Sequence, residues 1–89
     1  MPEYLTERYE PGAAAETLQA DAVRLADAVA ALRLDGAAIE FLGSTFLPED
    51  DGVFSRFASD SEELVAEVHQ RASVPFERII ETRELRGER

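Results

Sequence analysis

An arginine lies within an apolar segment of this sequence. The run DDGVFSRFA, residues 50–58, places Arg56 between Phe54 and Phe57, and its content of Val and Phe predicts a strand rather than a helix. A charge inside a sheet is costly unless an acid or a ligand neutralises it. The guanidinium could hold an anionic or carbonyl group, or stabilise negative charge that develops during a reaction. Arg56 is therefore the first candidate for a site.

Two acids and one histidine could act together with Arg56. Glu7 and Glu81 fall on strands predicted to lie near it, and they could form bidentate ion pairs with it or transfer protons. His69, the only histidine, has an ordinary pKa close to neutrality. Its position at the edge of a helical apolar stripe predicts a half-buried surface residue more than a catalytic base.

Hydroxyl groups could orient a polar ligand, although packing within the core is the simpler interpretation of each. They belong to Tyr4, Tyr9, Ser44, Thr45 and Ser55. For Arg56 itself, three interpretations stay open. The one we prefer is an ion pair, with an acid of a neighbouring strand or in a dimer interface, or a guanidinium that extends to the rim of that interface. Alternatively, Arg56 lies in the floor of a ligand cavity, or it is simply exposed to solvent.

Composition excludes several kinds of chemistry. The sequence contains no Cys and no Lys, which excludes a disulfide, a thiolate nucleophile, a zinc finger, a lysine Schiff base and a P-loop. One histidine cannot form a histidine-rich metal site within a single chain, and the turn PEDDG lacks the spacing of a calcium loop. A hard cation held by carboxylates stays open as an alternative, but PEDDG is better explained as a solvated turn, and we expect no metal site and no cofactor.

Charge and hydropathy restrict the partners. Asp and Glu number 19 against 9 Lys and Arg, and the resulting net charge of -10 disfavours nucleic acid and anionic lipid. No apolar run is as long as a membrane span, which needs about 20 residues. The N-terminus shows no targeting signal, so we expect a cytoplasmic protein. The 89 residues predict one domain, 1–89, whose thin core would gain from contact with a second copy.

The pattern of apolar residues predicts four strands and two helices. Apolar segments rich in aromatic and β-branched residues predict the strands, and recurrence at three and four positions predicts the helices. The predicted ranges are a strand at 3–9, a helix at 13–34, a strand at 37–47, a strand within 50–58, a helix from Ser59 or Asp60 to the residues before Pro75, and a strand at 76–85. This order predicts an α+β, ferredoxin-like βαββαβ fold: a four-stranded antiparallel sheet with both helices on one face.

Local signals mark the ends of these elements. Gly36 follows the last turn of the first helix and suits a left-handed C-terminal residue. Asp51 and Gly52 are typical of a hairpin connection between the second and third strands. Ser59 or Asp60, with acids three residues later, predicts the N-cap of the second helix.

Both faces of the predicted sheet carry large apolar side chains. Alternation places Phe54 and Phe57 on opposite faces of the third strand, divides Phe41 from Phe46 on the second, and separates the two isoleucines of the fourth. One face would be covered by the helices, so the other needs a different cover. The common solution is a homodimer in which two sheets pack face to face and close an α/β barrel across a two-fold axis.

Three segments carry a resemblance to a known family. MPEYLTERYEPG, FLPEDDGVFSRFASDSEEL and VPFERIIETREL together resemble a family of small bacterial ferredoxin-like proteins that includes a nickel-binding dimer. The resemblance implies a face-to-face dimer of the dimeric α/β barrel type. Where such members offer His or Cys on the second and third strands, this sequence has Gly43 and Ser55, so a nickel role carries over poorly, while Glu7 and Arg8 match.

Two classes of function follow from these observations. The first is a small homodimeric binding or accessory protein whose cavity between the sheets holds a small organic ligand, or whose surface docks another protein. The second is a cofactor-free enzyme of the cyclase, isomerase or monooxygenase type, acting on an apolar substrate with a carbonyl group. In the enzyme, Arg56 would stabilise negative charge, and Glu7, Glu81 or His69 would move protons. Nickel binding remains an alternative from the resemblance only.

Overall fold

Residues 1–88 form one antiparallel sheet of four strands together with two helices. The computed structural model describes residues 1–88. The elements are β1 (Glu3–Tyr9), α1 (Ala15–Leu34), β2 (Ile39–Leu47), β3 (Gly52–Ser59), α2 (Glu62–Ala72) and β4 (Arg78–Thr82). The order across the sheet is β2-β3-β1-β4, and a short 3-10 turn at Pro48–Asp50 joins the hairpin of β2 and β3. The predicted ferredoxin-like arrangement is confirmed.

Contacts from β1 show that both helices lie on the same side of the sheet. Thr6 is hydrogen-bonded to His69 of α2, and Arg8 is hydrogen-bonded to Asp21 of α1. Thr6 and Arg8 are two residues apart on a strand, so their side chains point to one face. That face, called here the covered face, therefore packs against both helices.

β4 is shorter than predicted, and its pairing explains why. β4 is an edge strand whose single neighbour is β1. The pairing runs from Glu3 opposite Thr82 to Glu7 opposite Arg78, and β1 begins at Glu3. Residues 83–88 have no residue of β1 opposite them, so the ladder ends at Thr82, although the sequence predicted a strand as far as residue 85.

The end of α1 has the predicted left-handed residue. Gly36 has a φ of +91°, a value that glycine adopts without steric cost. Its N–H donates to the carbonyl oxygen of Arg33 at 3.0 Å, and the N–H of Ala37 donates to that of Leu32 at 3.0 Å. These two bonds satisfy carbonyl groups that the last helical turn would otherwise leave unpaired.

The N-cap of α2 is Ser61, and the prediction of Ser59 or Asp60 is wrong. The Ser61 Oγ accepts a hydrogen bond from the N–H of Leu64 at 3.2 Å. Ser59 is still part of β3, where it pairs with Ile39. Its buried hydroxyl donates to the carbonyl oxygen of Ser61 at 2.9 Å. The strand therefore extends further than the capping pattern indicates, and the helix begins later.

A β-bulge interrupts the pairing of β2 with β3. Phe41 lies opposite Phe57, whereas Gly43 lies opposite Arg56, so Leu42 is the additional residue. Gly43 has a φ of +121°, which is open to glycine and strained for other residues. The bulge places a residue without a side chain directly beside Arg56.

The bulge also changes which face the end of β2 presents. After an additional residue, alternation is shifted by one position. Phe46 lies opposite Val53, whose buried side chain belongs to the covered face, so Phe46 lies on the same face as Phe41. The prediction that β2 divides Phe41 from Phe46 is therefore wrong. The predicted division within β3 and β4 is confirmed. Phe57 lies opposite Tyr4 and Phe54 opposite Glu7, whereas in β4 Ile79 lies opposite Thr6 and Ile80 opposite Leu5.

The core lies between the covered face and the helices. Phe57 is fully buried at its centre, and Leu25 of α1 and Val65 and Val68 of α2 are also fully buried. The opposite side of the sheet, called here the open face, carries Glu3, Leu5, Glu7, Tyr9, Glu40, Thr45, Leu47, Phe54, Arg56, Ala58, Arg78, Ile80 and Thr82. In residues 1–88 neither helix has the length and apolar composition needed to cross a bilayer.

Replacing Gly43 with alanine is expected to destabilise the protein by about 1–3 kcal/mol, because any Cβ is strained at this φ. Steric contact does not contribute, since a Cβ here would meet no atom within 4 Å. Urea unfolding followed by circular dichroism measures the free energy of unfolding. Gly87→Ala is the matched control, with equally open space and no positive φ, and it should change nothing. Equal stability of the Gly43→Ala variant and the wild type would contradict the bulge.

Candidate functional site

The sheet separates the candidate site residues into two groups. The open face holds Glu7, Tyr9 and Arg56, and the covered face holds Tyr4, Ser55, His69 and Glu81. Alternation along the strands causes this division. Tyr4 is two residues from Thr6 and therefore points to the covered face, as does Glu81, which lies opposite it. Glu7 and Tyr9 are an odd number of residues from Thr6 and point to the open face. A ligand that contacts Arg56 therefore reaches the open-face group alone.

Arg56 forms its ion pair with Glu3, so the predicted partners Glu7 and Glu81 are wrong. Its Nη2 donates to Glu3 Oε1 at 3.4 Å. Arg56 lies opposite Leu5, so Glu3 is its diagonal neighbour on the same face, whereas Glu81 points to the covered face. The two side chains of the pair are 51% and 38% exposed, and a pair this open contributes at most about 1 kcal/mol. The preferred interpretation of Arg56, an ion pair with an acid of a neighbouring strand, agrees with this contact.

Glu7 already has two partners on the open face. Arg78 Nε donates to Glu7 Oε2 at 2.8 Å, and the Tyr9 hydroxyl donates to Glu7 Oε1 at 3.3 Å. The negative charge of Glu7 raises the pKa of Tyr9, which keeps the phenol protonated as a donor. Glu7 therefore holds together the region where β1 and β4 meet.

A shallow depression of about 240 Å³ lies on the open face next to Arg56. It is lined by Glu3, Leu5, Arg56, Thr82, Arg83 and Glu84. The lining brings two guanidinium groups, two carboxylates, a hydroxyl and an apolar side chain to one place. On the other side of Arg56, Gly43 leaves the sheet surface without a side chain. Arg56 is thus approachable both from the depression and from the bulge.

His69 is buried between α2 and the sheet, where the sequence predicted a half-buried surface position. The side chain is 2% exposed. Nδ1 lies 2.9 Å from the carbonyl oxygen of Val74, which can only accept, so Nδ1 carries the proton and donates. Nε2, 2.9 Å from Thr6 Oγ1, therefore accepts from the threonine hydroxyl. The rings of Phe57 and Phe76 pack against the imidazole with centroids 5.6 and 4.8 Å away.

The surroundings of His69 keep it neutral. The pKa of His69 is lowered from 6.5 to about 4: burial is the largest cause, the hydrogen bond to Val74 acts in the opposite direction, and the positive charge of Arg8 adds to the lowering. Both ring nitrogens are already hydrogen-bonded inside the core, and the sheet lies between the ring and the open face. His69 therefore acts as a structural link between β1 and α2, with no route for a proton to a ligand beside Arg56.

A buried ion pair between β1 and α1 was not predicted from the sequence. Arg8 is 3% exposed, and its Nη2 donates to Asp21 Oδ2 at 3.4 Å. Asp21 also accepts from Arg24 Nη2 at 2.6 Å, and Arg8 Nε lies 3.3 Å from Glu10 Oε1. That Nε–H, among residues 1–88, is buried without a hydrogen bond of good geometry. Such a pair is costly to break, because either charge alone would stay buried.

The sequence did contain a signal for this pair. Asp21 lies three residues after Leu18 and four before Leu25, so an acid occupies the middle of the apolar stripe of α1. Arg8 follows Tyr4 and Thr6 at alternate positions on the face of β1 that is otherwise buried. A charged residue at a core position on each of two adjacent elements predicts that the two charges meet.

The residues present do not fit a nickel site. Gly43 has no side chain, and the Ser55 hydroxyl is buried with its oxygen 2.7 Å from Ser44 Oγ. Both nitrogens of His69 are engaged in the core. Across residues 1–88, no three His, Cys, Asp or Glu side chains are grouped so that they could hold one metal ion.

The fold is similar to a known structure. The crystal structure of SCO4226 from Streptomyces coelicolor A3(2) superposes with a TM-score of 0.71, covering 94% of this chain and 99% of that chain at 19% sequence identity. No protein-family model matches the sequence, and no curated protein matches it. At this identity the similarity shows the fold alone. The resemblance noted in the sequence is thus supported at the level of a small ferredoxin-like α+β fold.

The stability of the protein is expected to decrease by about 2 kcal/mol between pH 7 and pH 5 through His69 alone. Its pKa is lower in the folded protein than the 6.5 of the unfolded chain, so the unfolded state binds the proton more readily. The stabilisation is complete above pH 6.5 and is lost as the pH falls toward about 4. Urea unfolding at each pH, compared with His69→Gln, measures this effect. A variant with the same pH dependence as the wild type would contradict it.

Substituting Asp21 with asparagine is expected to cost about 2–3 kcal/mol, because the buried charge of Arg8 would lose its partner on α1. Thermal and urea unfolding measure the loss. Glu67→Gln is the control: Glu67 forms an exposed pair with Arg71 on α2, and its loss should cost no more than about 0.5 kcal/mol. Equal effects of the two substitutions would show that the Arg8 contact is of little energetic importance.

Proposed function

We propose that this chain is a homodimeric binding protein in which the open faces of two sheets pack together and enclose a cavity for a small organic ligand. The observation that carries the proposal is the set of apolar side chains on a face that neither helix of the described residues 1–88 covers. Leu5, Phe54 and Ile80 lie on neighbouring strands of that face and remain partly exposed in the single chain. Such a patch on a small protein usually marks an interface or a ligand groove.

The charges of the open face favour a second copy of this chain as the cover. The chain as a whole carries a net charge of -10, so two copies repel each other over most of their surfaces. The open face carries three glutamates, Glu3, Glu7 and Glu40, and two arginines, Arg56 and Arg78, which pair with Glu3 and Glu7. The open face therefore carries little of the excess of acids, so two open faces repel each other less than two faces that carry most of it.

The dimensions of the molecule also favour this cover. The protein measures 40 × 35 × 18 Å along its principal axes, so it is a plate two layers thick. One broad side of the plate is the helical layer and the other is the open face. In a stable dimer each partner buries about 800 Å² of accessible surface, and a side of this size can supply that area. A chain of 89 residues gains from this burial, because alone it removes only about 60–65% of its surface from water.

Binding is supported better than catalysis. The cofactor-free enzyme would need a proton carrier beside Arg56, and the candidates were Glu7, Glu81 and His69. Glu81 and His69 lie on the covered face, so a ligand on the open face does not reach them. Glu7 is on the correct face, but Arg78 and Tyr9 already hold its carboxylate. The open face therefore offers contacts for holding a ligand more than groups for transforming it.

A charge in the middle of the open face is expected to separate the dimer. Light scattering coupled to size exclusion should give the wild type twice the 9.8 kDa of one chain, and Leu5→Glu should give a single chain. Val23→Glu is the matched control, since Val23 is an apolar residue exposed on α1, and it should remain dimeric. Circular dichroism checks that each variant is folded. A monomeric wild type, or a Leu5→Glu variant that stays dimeric, would contradict the proposal.

A further inference from the structure

The surroundings of Arg56 leave much of its guanidinium accessible on the open face. Gly43 lies opposite it on β2, and a side chain built there would meet no atom within 4 Å, so the space on that side is open. Leu5 lies opposite it on β1 and supplies an apolar wall. Within residues 1–88, Glu3 is the acid within ion-pair distance of Arg56, at 3.4 Å through one nitrogen. A guanidinium has five N–H donors, so most of them remain for a ligand.

The depression beside Arg56 has the chemistry for one anionic group with an apolar body. Arg83 brings a second guanidinium, and the Thr82 hydroxyl adds a hydrogen-bonding group. Glu3 and Glu84 stand in the same lining, so a ligand with two or more negative charges would be repelled. The repulsion of a ligand with a single negative charge is weaker. Among such groups, the planar carboxylate matches the two parallel N–H donors of a guanidinium.

The volume of the depression shows that one chain is not enough. At about 240 Å³ it is smaller than the about 300 Å³ at the lower end of ligand pockets, and it is open to solvent. A second copy placed on the open face would close it and supply further apolar surface from Leu5, Phe54 and Ile80. Leu85 directly follows the lining residues and is exposed in the single chain, so its apolar side chain could also contact the second copy.

We infer that the cavity of the dimer binds a small apolar monocarboxylate, with Arg56 holding the carboxylate and the apolar residues of both open faces holding the rest. This inference rests on the proposed homodimer and adds the class of its ligand. The Arg56 guanidinium would then donate first to Glu3 and, once a ligand binds, to the ligand carboxylate. In the empty protein it contacts Glu3 through a long and exposed pair, and a ligand carboxylate replaces that weak contact with a bidentate one in a drier place.

Benzoate is a suitable probe, and benzamide is its uncharged counterpart. Calorimetric titration of the wild-type dimer should show benzoate binding at least about tenfold more tightly than benzamide, because a hydrogen-bonded charge contributes more than a neutral contact. Arg56→Gln should lose about tenfold or more of the benzoate affinity and leave benzamide unchanged. Amide resonances of Leu5 and Arg56 should shift on titration of the wild type.

Arg71→Gln is the matched control for Arg56→Gln. Both arginines are about half exposed and both pair with one glutamate, but Arg71 lies on α2, away from the open face. Its substitution should leave benzoate binding unchanged. A wild-type dimer that ignores benzoate, or that binds it equally well after Arg56→Gln, would overturn the carboxylate inference while leaving the dimer in place. A monomeric wild type would overturn the dimer and this inference together.

Discussion

The alternation of side chains along β1 is the constraint on which the rest of the structure depends. β1 lies between β3 and β4, so both of its edges are hydrogen-bonded to a neighbouring strand and its side chains lie on both faces of the sheet. On the covered face, Thr6 contacts α2 through His69, and Arg8 contacts α1 through Asp21. On the open face, its two glutamates hold arginines of the neighbouring strands. A shift of β1 by one residue would exchange the two faces and lose all of these contacts together.

The buried polar contacts specify positions more than they add stability. Desolvating Arg8 and Asp21 costs free energy that their attraction largely offsets. For the neutral imidazole of His69, the two hydrogen bonds to Thr6 and Val74 offset the cost of desolvation. Once buried, however, each group requires its own partner, because leaving one unpaired would be far more costly. The two helices are therefore held at defined places on β1, while the apolar contacts around Phe57 provide the main driving force for packing.

A ferredoxin-like sheet with helices on one side leaves its other side available for contacts, and in this protein that side carries both apolar and charged side chains. The β2 bulge removes a side chain beside Arg56 at the point where Leu5 supplies an apolar wall. The structural similarity to the Streptomyces protein extends over nearly all of both chains, yet a shared fold does not transfer a ligand or a reaction. The proposed function rests accordingly on the side chains of this chain, and on how their charges and apolar groups are arranged.

The sequence by itself determined the order of the elements, the left-handed end of α1 at Gly36 and the two-sided apolar character of β3 and β4. These features depend on local sterics and on the period of the apolar residues, which neighbouring positions reveal. Only the tertiary structure decided that Arg56 pairs with Glu3, that His69 is enclosed in the core, and that β2 contains a bulge at Gly43. Strand register and burial arise between segments far apart in the chain, so a local pattern does not contain them.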